Sequence, residues 1–118
     1  MAVVVQTVEK MKRSGSGLTP TFTGSLSASN QYRFDNNGKV FLHFKKTAAV
    51  NANVTIVTPR SPDGNAVADL VCTVPASTGE KVIGPFEPGV YNALGAHYVE
   101  WSVDDVDGLT VAVVRMDD

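Results

Sequence analysis

The sequence predicts an all-β protein: an antiparallel β-sandwich or small barrel of about seven strands with an extended N-terminal arm. Three observations predict it. From Asn36 to the C-terminus, short runs rich in β-branched and aromatic residues recur at roughly ten-residue spacing. Turn-forming residues punctuate them, at Asn36-Asn37-Gly38, Asp63-Gly64, Ser77-Thr78-Gly79 and Asp107-Gly108. No window long enough for a crossover helix carries helical periodicity, so the strands are expected to pair antiparallel. At 118 residues the chain suffices for one two-layer core and not for two.

Ala2–Val8 opens the chain as a β-branched run that is apolar on both faces. It suits a strand covered on two sides, in this domain or against a neighbouring chain. Glu9–Gln31 is rich in Ser, Thr and Gly, with Met11, Leu18, Phe22 and Leu26 as its large apolar residues. It shows no sustained periodicity and reads as an extended arm. The alternative is a first strand followed by a long surface loop, a rare feature in a compact domain. The expected division is therefore residues 1–31 as N-terminal strand and arm, and 32–118 as the β-sandwich domain.

Within the body, the expected strands are Lys39–Lys45, Asn53–Thr58, Asp69–Val74, Glu80–Phe86, Tyr98–Val103 and Leu109–Met116. Side chains alternate across a strand, so Val40, Leu42 and Phe44 should face the core while Phe41 and His43 face away. By the same alternation Val54 and Ile56, then Leu70, Cys72 and Val74, then Val99, Trp101 and Val103 form the inward faces. Leu109–Met116 is apolar on both sides, as expected of a central strand or one that meets a partner. Between the strands, Gly84-Pro85-Phe86-Glu87-Pro88-Gly89 should make a rigid corner, with one helical turn at Val90–Leu94.

No reactive constellation emerges from this pattern. His43 and His97 lack the Cys or carboxylate spacing of zinc ligation. Asp104, Asp105 and Asp107 precede Gly108, but their spacing does not match an EF-hand loop, and they read as a solvated hairpin turn. Ser14-Gly15-Ser16-Gly17 lacks the following Lys and helix of a phosphate loop and reads as a flexible link. Without a nucleophile turn, Ser/His/Asp combinations carry no hydrolase signal. No catalytic residue, metal ligand or cofactor is therefore expected, nor an enzymatic activity.

Composition narrows the partners. The formal charge is −2, and residues 1–30 carry Lys10, Lys12 and Arg13 against Glu9, which leaves an acidic body. A nucleic-acid-binding domain would show a broad basic face, so nucleic acid is not an expected partner. No unbroken apolar run is long enough for a membrane-spanning helix, and Met1–Val5 lacks the basic lead and cleavage site of a secretory signal. Cys72 is the single cysteine, which suits a small buried hydrophobe in a reducing compartment. Trp101, Tyr91 and Tyr98 could line a sugar-stacking platform, although Trp101 shares its face with Val99 and Val103 and should lie in the core.

Five phrases carry a resemblance over about two thirds of the chain: Asn37–Lys45, Val54–Pro59, Asp63–Asp69, Val74–Ala76, and Ile83–Phe86 leading to Val90-Tyr91-Asn92. In that order they resemble a family of small structural proteins encoded in the head-gene region of tailed bacteriophages. The resemblance implies a capsid decoration (cement) protein on the virion surface, made in the host cytoplasm, with the major capsid protein as partner. A neck or tail component is a near neighbour, and a carbohydrate-binding or host-adhesion module is the alternative from another class. No catalytic residues carry over.

For such a role, an apolar β-prone segment can add to an exposed sheet edge while its valines fill pockets. Val3, Val4, Val5, Met11, Leu18 and Phe22 are the candidate capsid or subunit contacts. Ordering an arm costs conformational entropy, so binding through several copies is favoured. That points to a symmetric homo-oligomer, with a trimer expected.

Overall fold

The computed structural model describes residues 3–11, 17–59, 68–93 and 95–116. The expected turn at Asp63-Gly64, the Ser14-Gly15-Ser16 link, Ala2 and Leu94 lie outside these residues. In chain order the elements are β1 (Val3–Val5), β2 (Glu9–Lys10), β3 (Gln31–Asp35), β4 (Val40–Lys46), β5 (Ala52–Ile56), β6 (Leu70–Val74), β7 (Gly79–Ile83), α1 (Pro88–Tyr91), β8 (Tyr98–Val103) and β9 (Leu109–Arg115).

Two sheets form a sandwich that does not close into a barrel. One has the order β1-β3-β8-β5-β6 and the other β2-β9-β4-β7. The seven strands of the body, β3 to β9, pair antiparallel throughout. An isolated antiparallel bridge joins Thr23 to Val111 on the side of β9 away from β4, the side that β2 also borders. With Thr23 counted as a vestigial first strand, the orders Thr23-β9-β4-β7 and β3-β8-β5-β6 are those of a jelly roll.

The expectation of purely antiparallel pairing is corrected at the arm. β1 runs parallel to β3, with Val3 opposite Gln31 and Val5 opposite Arg33, and β2 runs parallel to β9. Parallel neighbours need a long connection and not specifically a helix. Residues between Val5 and Gln31, and nearly the whole chain between Lys10 and Leu109, supply it. The arm thus switches sheets at Gln6–Val8 and lines the same side of both.

Alternation builds the core. Val40, Leu42 and Phe44 of β4, Val54 and Ile56 of β5, and Val99 and Trp101 of β8 are fully buried between the sheets. Tyr32 stacks on Trp101 with centroids 4.7 Å apart, and Phe44 meets the indole edge-on at 5.3 Å. β6 departs from expectation. Val74 is buried, but Leu70 is exposed and Cys72 half-buried, because β6 ends its sheet and the opposite layer does not reach its outer half.

β3 is a strand the sequence pattern did not reveal as one. Its Tyr32 and Phe34 are buried against outward Gln31, Arg33 and Asp35. The period-2 signal was present over five residues, shadowed by the polar arm before it. The helical turn begins at Pro88, two residues before the expected start. Proline at the first helical position supplies a pre-set φ, and Asn92 N–H closes the turn on Pro88 O.

Close approach requires glycine at Gly79 and at Gly108. A Cβ on Gly79 would lie 1.7 Å from Pro75 O, and Gly108, at φ +63°, would place one 2.6 Å from Thr47 Oγ1. Among the described residues no helix is long and apolar enough to cross a membrane.

Candidate functional site

The side of the sandwich that carries the arm holds most of the sequence-nominated contact residues. Val3, Val4 and Val5 are 49%, 37% and 70% exposed. The first of the two expected arrangements, cover on both faces within this domain, is therefore corrected, because the domain does not pack over these valines; cover by a neighbouring chain is the arrangement that stays open. Gln6 N–H donates to Arg33 O at 2.8 Å. Backbone groups alternate along a strand, so Val3 and Val5 direct their N–H and C=O to the open side. β1 is thus a short apolar edge whose outward backbone donors and acceptors pair with no other described residue.

The arm is anchored from below. Trp101 Nε1–H donates to Gln6 Oε1 at 2.9 Å, linking the arm to the largest core side chain. Thr21 N–H donates to Glu9 Oε1 at 2.8 Å, and Met11 N–H donates to Arg115 O at 2.9 Å. Beside β1, a cleft of about 410 Å³ opens between the sheets, floored by Leu26, Tyr32, Val111 and Val113 and rimmed by Val4 and Thr23.

Leu18 and Phe22 sit elsewhere. The segment from Gly17 to Phe22 lies over the outer face of β4 and β9, where Phe22 meets the His43 ring edge-on at 5.0 Å and Lys45 Nζ stands 4.5 Å from the Phe22 ring centre. Both residues are half-buried, whereas Met11 is exposed. A cleft of about 400 Å³ under this segment is lined by Met11, Leu18, Pro20, Phe41, His43 and Val114. This covering explains why Ala112 and Val114 are buried although they point away from the sandwich interior. Of the six nominated contacts, the structure brings Val3, Val4 and Val5 together on one edge, with Met11 exposed beyond β2. It places Leu18 and Phe22 against the chain's own sheet.

A polar cleft of about 770 Å³ lies at one end of the sandwich, lined by Gln6, Thr7, Asp35, Asn37, His97 and Arg115 among others. Its floor is a buried amide pair. Asn36 Nδ2 donates to Asn92 Oδ1 at 2.7 Å and to Phe86 O at 3.1 Å, while Asn36 Oδ1 accepts from Gly38 N–H. These amides clamp the proline corner to β3, a tertiary role that the turn motif Asn36-Asn37-Gly38 conceals.

The acidic turn is also structural. Asp105 Oδ1 accepts from Lys46 Nζ at 3.1 Å, and Asp107 O accepts from it at 2.6 Å. The Lys46 side chain is wholly buried, so this turn exists to satisfy an ammonium group inside the fold. Asp104 accepts from Asn53 N–H at 2.7 Å and from Asn53 Nδ2 at 3.0 Å. The backbone hydrogen bond from Asn53 is the leading cause that holds its carboxyl below the usual value. Lys46 is the residue that sequence reasoning missed. Its signal was a lysine at an inward position of an alternating strand, followed far along the chain by a surplus of aspartates.

Among the described residues, no group of three or more His, Cys, Asp or Glu side chains is placed to hold a metal ion. His43 faces Glu80 across the β4–β7 pair at 2.5 Å, and His97 is exposed. Trp101 is fully buried, so it offers no sugar platform. Comparison with protein-family models, curated proteins and solved structures finds no match.

Proposed function

We propose that the protein is a virion structural protein that binds the outer surface of a tailed-phage capsid and stabilises the shell as a decoration protein. The observation that carries the reading is β1, an exposed apolar edge whose valines and outward backbone groups suit strand addition to the major capsid protein. The ordered phrases between Asn37 and Asn92 support it independently. Jelly-roll sandwiches also serve in viral capsids, a fold-level analogy that adds a little weight. Binding at many equivalent shell sites needs a docking edge and a rigid body, and no reacting group. A homo-oligomer, with a trimer favoured, would multiply a weak edge contact.

The test is electron microscopy of shells mixed with the full chain and with a Val3→Lys/Val5→Lys variant. Density is expected over the shell for the native chain and absent for the variant, whose thermal unfolding stays unchanged. Density confined to the neck or tail would replace the shell reading with that of a neck or tail component. Equal decoration by both proteins would remove β1 from the mechanism.

A second reading, a carbohydrate-binding or host-adhesion module, is favoured by the polar cleft, where a carboxylate, a guanidinium and amides converge. Glycan binding lost in Asp35→Asn and retained in Tyr91→Ala would promote it.

A further inference from the structure

We infer that the segment Val3–Met11 is an exchangeable strand, donated by one copy of this chain to the edges of β3 and β9 on a second copy. The proposal goes beyond shell docking and names its own partner, the chain itself.

Four observations carry it. First, the pairings that hold the segment join it to groups any second copy presents identically: β1 to β3, β2 to β9, Gln6 N–H to Arg33 O, Met11 N–H to Arg115 O and the Trp101 indole to Gln6. Second, the jelly-roll strand order is complete without β1 and β2, which add only at the outside of each sheet. Third, the segment leaves Val3, Val5 and Met11 49%, 70% and 42% exposed, a cost that a solitary subunit does not offset.

The fourth is reach. Six residue steps separate Met11 from Gly17, so the connection spans at most roughly 20 Å. The molecule, arm included, measures 43 × 37 × 23 Å. Reciprocal exchange is therefore possible only between two bodies set side by side with their arm-bearing edges facing. That arrangement lays each body against the other's exposed valines. Strands of three and two residues in parallel pairing bind weakly within one chain. Exchange keeps every one of those pairings and adds the contact between bodies, which makes it a low-cost route to a dimer of the free chain where copies are concentrated, a state distinct from the trimer favoured on the shell.

The experiment mixes two full-length chains of distinguishable mass, both Cys72→Ser, one carrying Val3→Cys and the other Gln31→Cys. These positions face each other in the β1–β3 register. Neither chain can form the link alone. With a short bismaleimide at millimolar chain, exchange gives roughly tenfold more heterodimer than a control pair of Val3→Cys with Val82→Cys on the far edge. A yield equal to the control overturns the proposal, as does a native chain that sediments as a monomer at the same concentration. A single-chain Val3→Cys/Gln31→Cys variant that links only within itself at millimolar concentration overturns it too. Shells decorated by a chain that shows no exchange would sink this inference alone. Exchange with bare shells would sink the shell reading alone.

Discussion

Trp101 and Asn36 show how single residues hold the arm and the proline corner in place. The indole is stacked on Tyr32, meets Phe44 edge-on and donates outward to Gln6, so one side chain serves both core and arm. Trp101→Phe is expected to lower stability by roughly 1–3 kcal/mol in urea unfolding, through lost volume and the lost donor. It should also raise amide exchange over residues 4–8. Asn36 stands at 6% exposure with its amide nitrogen shared between Phe86 O and Asn92 Oδ1. Asn36→Ala leaves those acceptors buried and unpaired, with an expected loss of about 1–3 kcal/mol. Asn36→Asp should be no better, because a carboxylate cannot donate.

At the level of elements, the arm divides into two parts with different roles. Residues 3–11 lie on the edges of the sheets, whereas Thr23 bridges β9 and Leu26 is buried in the core cluster. Deletion of residues 1–30 is therefore expected to damage the fold, since it removes the Thr23 bridge and Leu26 along with the outer strands. Leu26→Ala is expected to cost about 2–4 kcal/mol by thermal or denaturant unfolding, a value typical of a core position and not of a loop. An effect within 0.5 kcal/mol, about that of a surface substitution, would show that the segment does not pack as described. The two outer strands on the opposite side differ in protection. β7 carries Glu80 and Lys81, while β6 has no charge in its five residues and is followed by Pro75.

For the whole molecule, acid should act through the joint between β5 and β8. The Asp104 carboxyl is held below its usual value by the Asn53 backbone hydrogen bond. A depressed folded-state pKa means that its contribution is present above the unfolded value, about 4, and is lost as pH falls through the lower folded value. Asp104→Asn should therefore flatten the fall in unfolding midpoint below pH ~4 while changing the slope little between pH 5 and 7. A steeper acid limb in the variant would contradict this assignment. Because Asp104 is exposed, the effect is modest and should shrink in high salt.

Much of the fold was legible because period-2 alternation is a local property. Val40-Leu42-Phe44 and Val99-Trp101-Val103 declare a buried face without reference to any other strand, and Asp107-Gly108 declares its turn. Apolarity on both faces of Leu109–Met116 correctly marked a central strand, although the cover over its outer face is the chain's own segment 17–22. The sequence by itself therefore determined the all-β class, the strand set from β4 to β9 and the inward faces of β4, β5 and β8. Only tertiary structure decided that the arm switches sheets with parallel pairing, that Lys46 is enclosed by the acidic turn, and that Val3–Val5 remain uncovered. Those features depend on groups 28 to 105 residues apart meeting in space. Such meetings are set by sheet order and loop closure, and no local spacing of residues encodes them.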